Sequence, residues 1–365
     1  MTIRRQLLNF GGKHTDFRVG AGALEELPRM VKGTVATPHR ALFVAQPEAL
    51  ERCGEPVRRG LADAGFSVEE VEVAGVGAAS TFAEAARLYE ALDELAISAE
   101  DLIIGLGDAA TCGLVSFCAG SWLGGTVFAL IPTTLDAMVC SATVMTGLST
   151  TRSRGVVSVQ PAAALVVSDL SLVEGLSVDE LGLGLVHIVA SYLMDSKRSW
   201  ERVEEAVAGL ATGETFPLVG AICDTQTARV NAIKATSPSA RCAMLFGTTT
   251  AGALRSCLGA EVPEYLLYAE GLRFEARVAV DACGFEVDEV FKLDDCLEEL
   301  GIEELPFALE TDAFVAALKA ERFRRANRFM LPLPKRPGFI RLTTVEDEVL
   351  ENHAEAYLAS RAELL

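Results

Sequence analysis

Residues 101–144 read DLIIGLGDAATCGLVSFCAGSWLGGTVFALIPTTLDAMVCSATV, a stretch whose residue types suit phosphate binding. An apolar run carries Gly105 and Gly107 into a helical segment, and a second apolar run ends at Thr133 and Thr134. Glycines in such a turn let backbone N–H groups approach a pyrophosphate at a helix N-terminus. Asp108, however, stands in the middle of the turn. A carboxylate about 4 Å from a phosphate charge opposes binding by roughly 4 kcal/mol at an effective dielectric near 20, or about a thousandfold in affinity. Asp108 also suits the N-cap of a helix beginning near Ala109, and that role leaves an anion in the loop as well. Cys140 offers a thiol nucleophile, for which no partner base is visible. His187 lies among Val186, Ile188 and Val189, so it reads as a packed histidine before it reads as a metal ligand. Thr248, Thr249 and Thr250 open a helix and suit either capping or an anion grip.

The elements that position these residues alternate over the first 165 positions. RALFVA (40–45) is a short apolar strand, residues 48–65 are helical with a glycine stop, and FSVEEVEVA (66–74) alternates as a strand. A helical window follows at 81–95, then strands at DLIIGLG, TVFALIP (126–132) and ALVVSD (164–169). This order implies βαβ units: a Rossmann-like α/β domain over 1–165, with a parallel sheet and any ligand at the carboxyl ends of its strands. Residues 166–365 read as an all-α domain, with a cleft expected between the two. Its first helix, 177–210, opens with Ser177 three residues before Glu180, a capping-box spacing. Further helical windows fall at 217–234, 243–257, 263–280 and 310–328, with a short strand at 339–344 and a terminal helix.

Composition narrows the function classes. Fifty-one acids against thirty-two bases give a net charge of −19, which repels nucleic-acid phosphates and anionic lipids. Nine cysteines without a CxxC pair fit reduced thiols, and no apolar run is long enough to span a membrane. A soluble, cytoplasmic protein with neither nucleic acid nor membrane as partner is expected.

At GLGDAATCGLVSF, IPTTLDAMV, DLSLVEGLSVDELGLGLVHI and RCAMLFGTTTAGAL the chain resembles 3-dehydroquinate synthase and the related sugar-phosphate cyclases. The resemblance implies a nucleotide-binding domain, a helical metal-binding domain and a homodimer. It also implies NAD- and zinc-dependent chemistry that oxidises a sugar phosphate, eliminates phosphate and closes a carbocycle. The PTTL turn, Asp169, Glu180, Arg241 and Glu270 match the family pattern. The chemical positions do not. The glycine triplet of the dinucleotide loop becomes Gly107, Asp108 and Ala109; the acid later in that motif becomes Gly113, and the arginine before the next strand Gly124. The ribose-contacting acid becomes Gln46, and the lysine of G-E-x-x-K-T becomes Ser80. The three zinc ligands of the family, a glutamate and two histidines, fall on His187, Thr248 and Tyr268. Its acid–base and phosphate-gripping groups become Ala190, Gly252, Leu245, Cys140 and Thr146.

Only Gly105, Gly107, Thr133 and Thr134 remain as cofactor-loop residues, and Arg241, Cys140, Thr248 and Tyr268 as pocket residues. No catalytic residue is identified, and His187 is the one weak metal candidate. Two readings compete. One is a non-catalytic homologue without cofactor, serving as a scaffold, a regulator of a protein partner or a binder of a small anionic ligand. The other is an active cyclase with NAD, zinc and an atypical site.

Overall fold

The computed structural model describes residues 3–75, 77–143, 146–150, 153–159, 162–321 and 328–365. The chain divides into two compact units, Met1–Gly175 and Leu176–Leu365. Strand β9, near the boundary anticipated at 165, belongs to the first unit.

The strands of the first unit are β1 (Arg4–Asn9), β2 (His14–Gly20), β3 (Arg40–Ala45), β4 (Ser67–Glu72), β5 (Leu102–Gly107), β6 (Phe128–Pro132), β7 (Thr146–Thr150), β8 (Ser153–Val159) and β9 (Leu165–Asp169). Its helices are α1 (Leu27–Val31), α2 (Pro47–Asp63), α3 (Phe82–Glu94), α4 (Ala109–Ser121) and α5 (Leu135–Cys140). Seven strands form one sheet in the order β1-β2-β9-β6-β5-β3-β4. All pairings are parallel except β1 with β2, so the sheet is mixed rather than purely parallel. β7 and β8 form a separate antiparallel hairpin in a segment where sequence periodicity is weak.

β5 is buried throughout because helices cover both faces of the sheet. Its alternate residues divide accordingly. Leu102, Ile104 and Leu106 join a core with Leu27, Val57 and Leu61 from α1 and α2. Gly105 faces α4, where an added Cβ would lie 2.9 Å from Val115 Cγ2. α2 is kinked: Pro56 cannot donate to the carbonyl four residues back, and Cys53 leaves the helical range at φ −149°, ψ 15°.

The second unit is helical with one hairpin. Its elements are α6 (Val178–Asp195), α7 (Lys197–Glu201), α8 (Val203–Ala211), α9 (Thr215–Lys234), α10 (Pro238–Arg241), α11 (Thr248–Leu258), α12 (Glu264–Cys283), α13 (Val287–Glu299), α14 (Thr311–Glu321) and α15 (Asp347–Ala362). Strands β10 (Met330–Arg336) and β11 (Phe339–Thr344) pair antiparallel, so the unit is not entirely α. At the start of α6, Glu180 Oε2 accepts from the Ser177 amide at 3.0 Å, as the spacing predicts. The expected single helix over 177–210 breaks at Ser196, which is extended, and whose Oγ accepts from the Ser199 amide at 3.1 Å to start α7. The helical window at 310–328 is seen as α14, and its residues 322–327 lie outside the described residues. No helix among the described residues is long and apolar enough to cross a membrane.

Candidate functional site

In the first unit the strand order reverses between β3 and β5, the place where open α/β sheets form ligand crevices. Gln46 follows β3 and Asp108 follows β5, so both side chains stand at this point. Asp108 caps α4, its Oδ1 accepting from the Thr111 amide at 2.8 Å. Its Oδ2 accepts from the Gly77 amide, also at 2.8 Å. The Asp108 amide and the Thr111 hydroxyl both donate to Gln46 Oε1, each at 2.9 Å. The residue that replaces the family's ribose-contacting acid is thus drawn into the loop.

The glycines serve the same internal packing. A Cβ on Gly107 would lie 2.6 Å from Gln46 Oε1 and 2.8 Å from Thr111 Cβ, so the space before it is filled by the chain itself. Thr133 is buried and its amide donates to the Gly107 carbonyl at 2.9 Å. Thr134 Oγ1 is sealed from water beside the Asp136 carboxyl. Burial pushes the neighbouring Asp136 carboxyl up, and the Asp108 charge adds to that shift. Two carboxyl groups, those of Asp108 and Asp136, therefore lie near one another at this turn. Cys140 is buried at the end of α5, and burial pushes the nearby Cys112 thiol up to about 12. Neither position has the electropositive, accessible surroundings of a reactive thiol.

In the second unit, His187 on α6 meets Tyr268 on α12 with ring centroids 4.8 Å apart. His187 keeps partial exposure, but its Nδ1 is sealed and makes no hydrogen bond among the described residues. Burial, then the Arg229 guanidinium, push its imidazolium down to about 3, so it is neutral at ordinary pH. The other expected ligand position, Thr248, donates its hydroxyl to the Leu245 carbonyl at 2.7 Å. Arg241 ends α10 and is exposed. A zinc site requires about three N, O or S donors converging on one point. Among the described residues no three His, Cys, Asp or Glu side chains do so.

The N-terminus of α11, where the three threonines offer an anion grip, holds a carboxyl group of the chain itself. Glu275 is fully buried, accepting from the Gly247 amide at 2.7 Å and from the Thr250 amide and hydroxyl at 3.2 and 3.0 Å. Sequence reasoning passes over Glu275. Its one signal is an acid among the apolar residues of the α12 run FEARVAV, where Arg277 is the other charge. Glu270, which does match the family pattern, is a buried hub. It accepts from Arg273 at 2.8 Å, from the Leu305 amide at 3.1 Å, from Arg361 at 2.6 Å and from the Tyr357 hydroxyl.

Burial raises the Glu275 carboxyl from its ordinary 4.5 to about 7, although its three donors pull the other way. The folded protein then holds a proton that the unfolded chain has released. Stability present below pH 4.5 is lost as pH rises through about 7, by at most about 1.4 kcal/mol per pH unit for one proton. Urea unfolding across this window should show that decline. Glu275→Gln should flatten its share of it, and an unchanged slope would contradict the assignment.

A Rossmann-like unit followed by a helical unit is the arrangement of the sugar-phosphate cyclase fold. The sequence profile described as 3-dehydroquinate synthase N-terminal matches residues 70–182. The chain is a member of the 3-dehydroquinate synthase-like family. It is 35% identical over 199 residues to 3-dehydroquinate synthase of Thermobifida fusca, covering 53% of this chain and 52% of that protein. With the enzyme of Symbiobacterium thermophilum it shares 23% over 341 residues, covering 92% and 95%. The crystal structure of 2-deoxy-scyllo-inosose synthase complexed with carbaglucose-6-phosphate, NAD+ and Co2+ superposes with a TM-score of 0.85 at 14% identity, over 97% of this chain and 100% of that one. Across relatives more than 30% identical, the match spans about half of their length.

Proposed function

We propose that this chain is a non-catalytic member of its family, a scaffold or small-ligand binder that has lost zinc- and NAD-dependent cyclisation. The observation that carries this is the filling of the metal position. His187 is the single ordinary zinc donor among His187, Thr248 and Tyr268, and it lies against a tyrosine ring with its Nδ1 sealed. The Asp108 contacts support the same reading for NAD, since a carboxylate takes the amides of Thr111 and Gly77 that would otherwise face a phosphate. A homodimer, as the resemblance to the family implies, is part of the same proposal.

The test uses full-length protein purified from zinc-replete medium. After dialysis, elemental analysis should find far less than one zinc per chain. Incubation with NAD and the seven-carbon sugar phosphate of the shikimate pathway should release no phosphate above a protein-free control. Stoichiometric zinc, or phosphate release that depends on this protein, would restore the opposite reading, an active cyclase with an unusual site.

A further inference from the structure

The second unit contains a cleft that none of the family's site positions occupies. It has a volume of about 140 Å³ and lies against α6, α9, α10 and the β10–β11 turn. On α9, Ala228, Asn231 and Ala232 share one face by their spacing, and Ala235, Ala240 and Ala243 continue the lining. Methyl groups stand where larger side chains would close the space. The walls are fixed. The Gly338 amide donates to the Leu193 carbonyl at 2.8 Å, and a Cβ on Gly338 would lie 2.7 Å from Ser196 Cα. The Leu342 amide donates to Ser239 Oγ at 2.9 Å, tying β11 to the α10 segment.

Two opposite charges line this cleft without pairing. Asp195 is held through Oδ2 by the hydroxyls of Ser199 at 2.5 Å and Ser196 at 3.2 Å, which leaves Oδ1 open among the described residues. Arg341 donates Nη1 to the Ile340 carbonyl at 2.7 Å and lies 4.2 Å from the Phe339 ring centroid, with its other N–H groups uncommitted among the described residues. Asp195 and Ala228 also line an adjoining recess with Thr225, too narrow to hold a water molecule. Thr225 is 1% exposed, yet its Oγ1 has no hydrogen-bond partner among the described residues. A buried hydroxyl without a partner costs stability unless something else supplies one.

We propose that this cleft binds a small zwitterionic α-amino acid, with its carboxylate on Arg341, its ammonium on Asp195 Oδ1 and a short aliphatic side chain over the alanines. Asn231 supplies a further polar contact. This inference does not rest on the loss of cyclase chemistry, because zinc content and phosphate release report on other residues.

The experiment is a titration of the full chain with glycine, L-alanine, L-valine and L-methionine, read by calorimetry and by melting temperature, which a ligand of the folded state raises. At least one should bind saturably. Its amide, lacking the carboxylate, and its N-acetyl derivative, lacking the ammonium, should each bind about tenfold to a hundredfold more weakly. Ala232→Leu, which fills the cleft, and Arg341→Gln, which removes the cation, should abolish binding while circular dichroism stays that of the parent. Failure of all four amino acids to bind overturns the proposal. So does equal affinity for the amide, or binding that survives in both variants.

Discussion

Glu270→Ala is expected to lower the stability of the second unit by about 3–5 kcal/mol, the usual result of breaking a buried ion network by removing one partner. Glu270, Arg273 and Arg361 are all essentially inaccessible, and they draw together α12 and α15. Arg273 also donates to the Ile302 and Glu303 carbonyls at 2.7 and 3.2 Å, and Arg361 pairs with Glu304 at 2.7 Å. Without the Glu270 carboxylate, two guanidinium groups and the Leu305 amide lose their shared acceptor in a site water cannot reach. The loss should appear as a melting-temperature drop of about 10 °C, given about 2–4 °C per kcal/mol for a unit of this size. A change below about 1 kcal/mol would mean the network behaves as a surface pair, contrary to its burial. The glutamate that matches the family motif is therefore architectural in this chain.

Gly271→Ala should be the second severe substitution, at a cost of about 3 kcal/mol. Gly271 lies within α12 against the start of α11. A Cβ there would overlap the Gly247 carbonyl oxygen, and would lie 2.9 Å from its carbon and 3.2 Å from the Ala251 amide. These are backbone atoms, so no rotamer change relieves the overlap. α11 would have to move and would loosen the Gly247 and Thr250 bonds to Glu275. Gly220→Ala supplies the control of opposite sign. Gly220 is inside α9 with nothing within 4 Å of an added Cβ, so alanine should stabilise by about 0.5–1 kcal/mol. Chemical denaturation of both variants checks the pair. If Gly271→Ala also stabilises, the close approach of α11 and α12 is wrong.

Much of the fold was legible because its patterns are local. The β3 strand agrees residue for residue with RALFVA, and α2, α3, β6 and β9 agree to within a few residues, since apolar runs and glycine stops mark them directly. The mixed edge of the sheet was not legible: strand direction depends on pairing between distant residues, and β1 carries one buried position in six. β10 was hidden by Pro332 and Pro334, which argue against a strand unless it has a free edge, as each member of a two-stranded hairpin does. α13 lies outside the windows anticipated, although Val290, Leu293 and Leu297 bury the expected stripe.

The candidate site was legible in its substitutions and opaque in its contacts. That Asp108 stands in the glycine turn is plain from the sequence; that its second oxygen reaches the Gly77 amide requires the fold, because thirty-one positions separate the two residues. Gln46 shows the same limit, as nothing local ties it to Thr111. Glu275 is harder still. One acid among several in α12 gives no hint of which distant amides it serves.

The Asp108–Gly77 contact has one further consequence. In a nucleotide-binding loop, the difference between the empty and the filled state is a message: the rest of the molecule can respond because ligand favours one arrangement over another. On the non-catalytic reading proposed above, a loop fastened by the chain's own carboxylate lacks such a pair of states. The first unit would then offer its surroundings one constant surface, indifferent to the nucleotide supply.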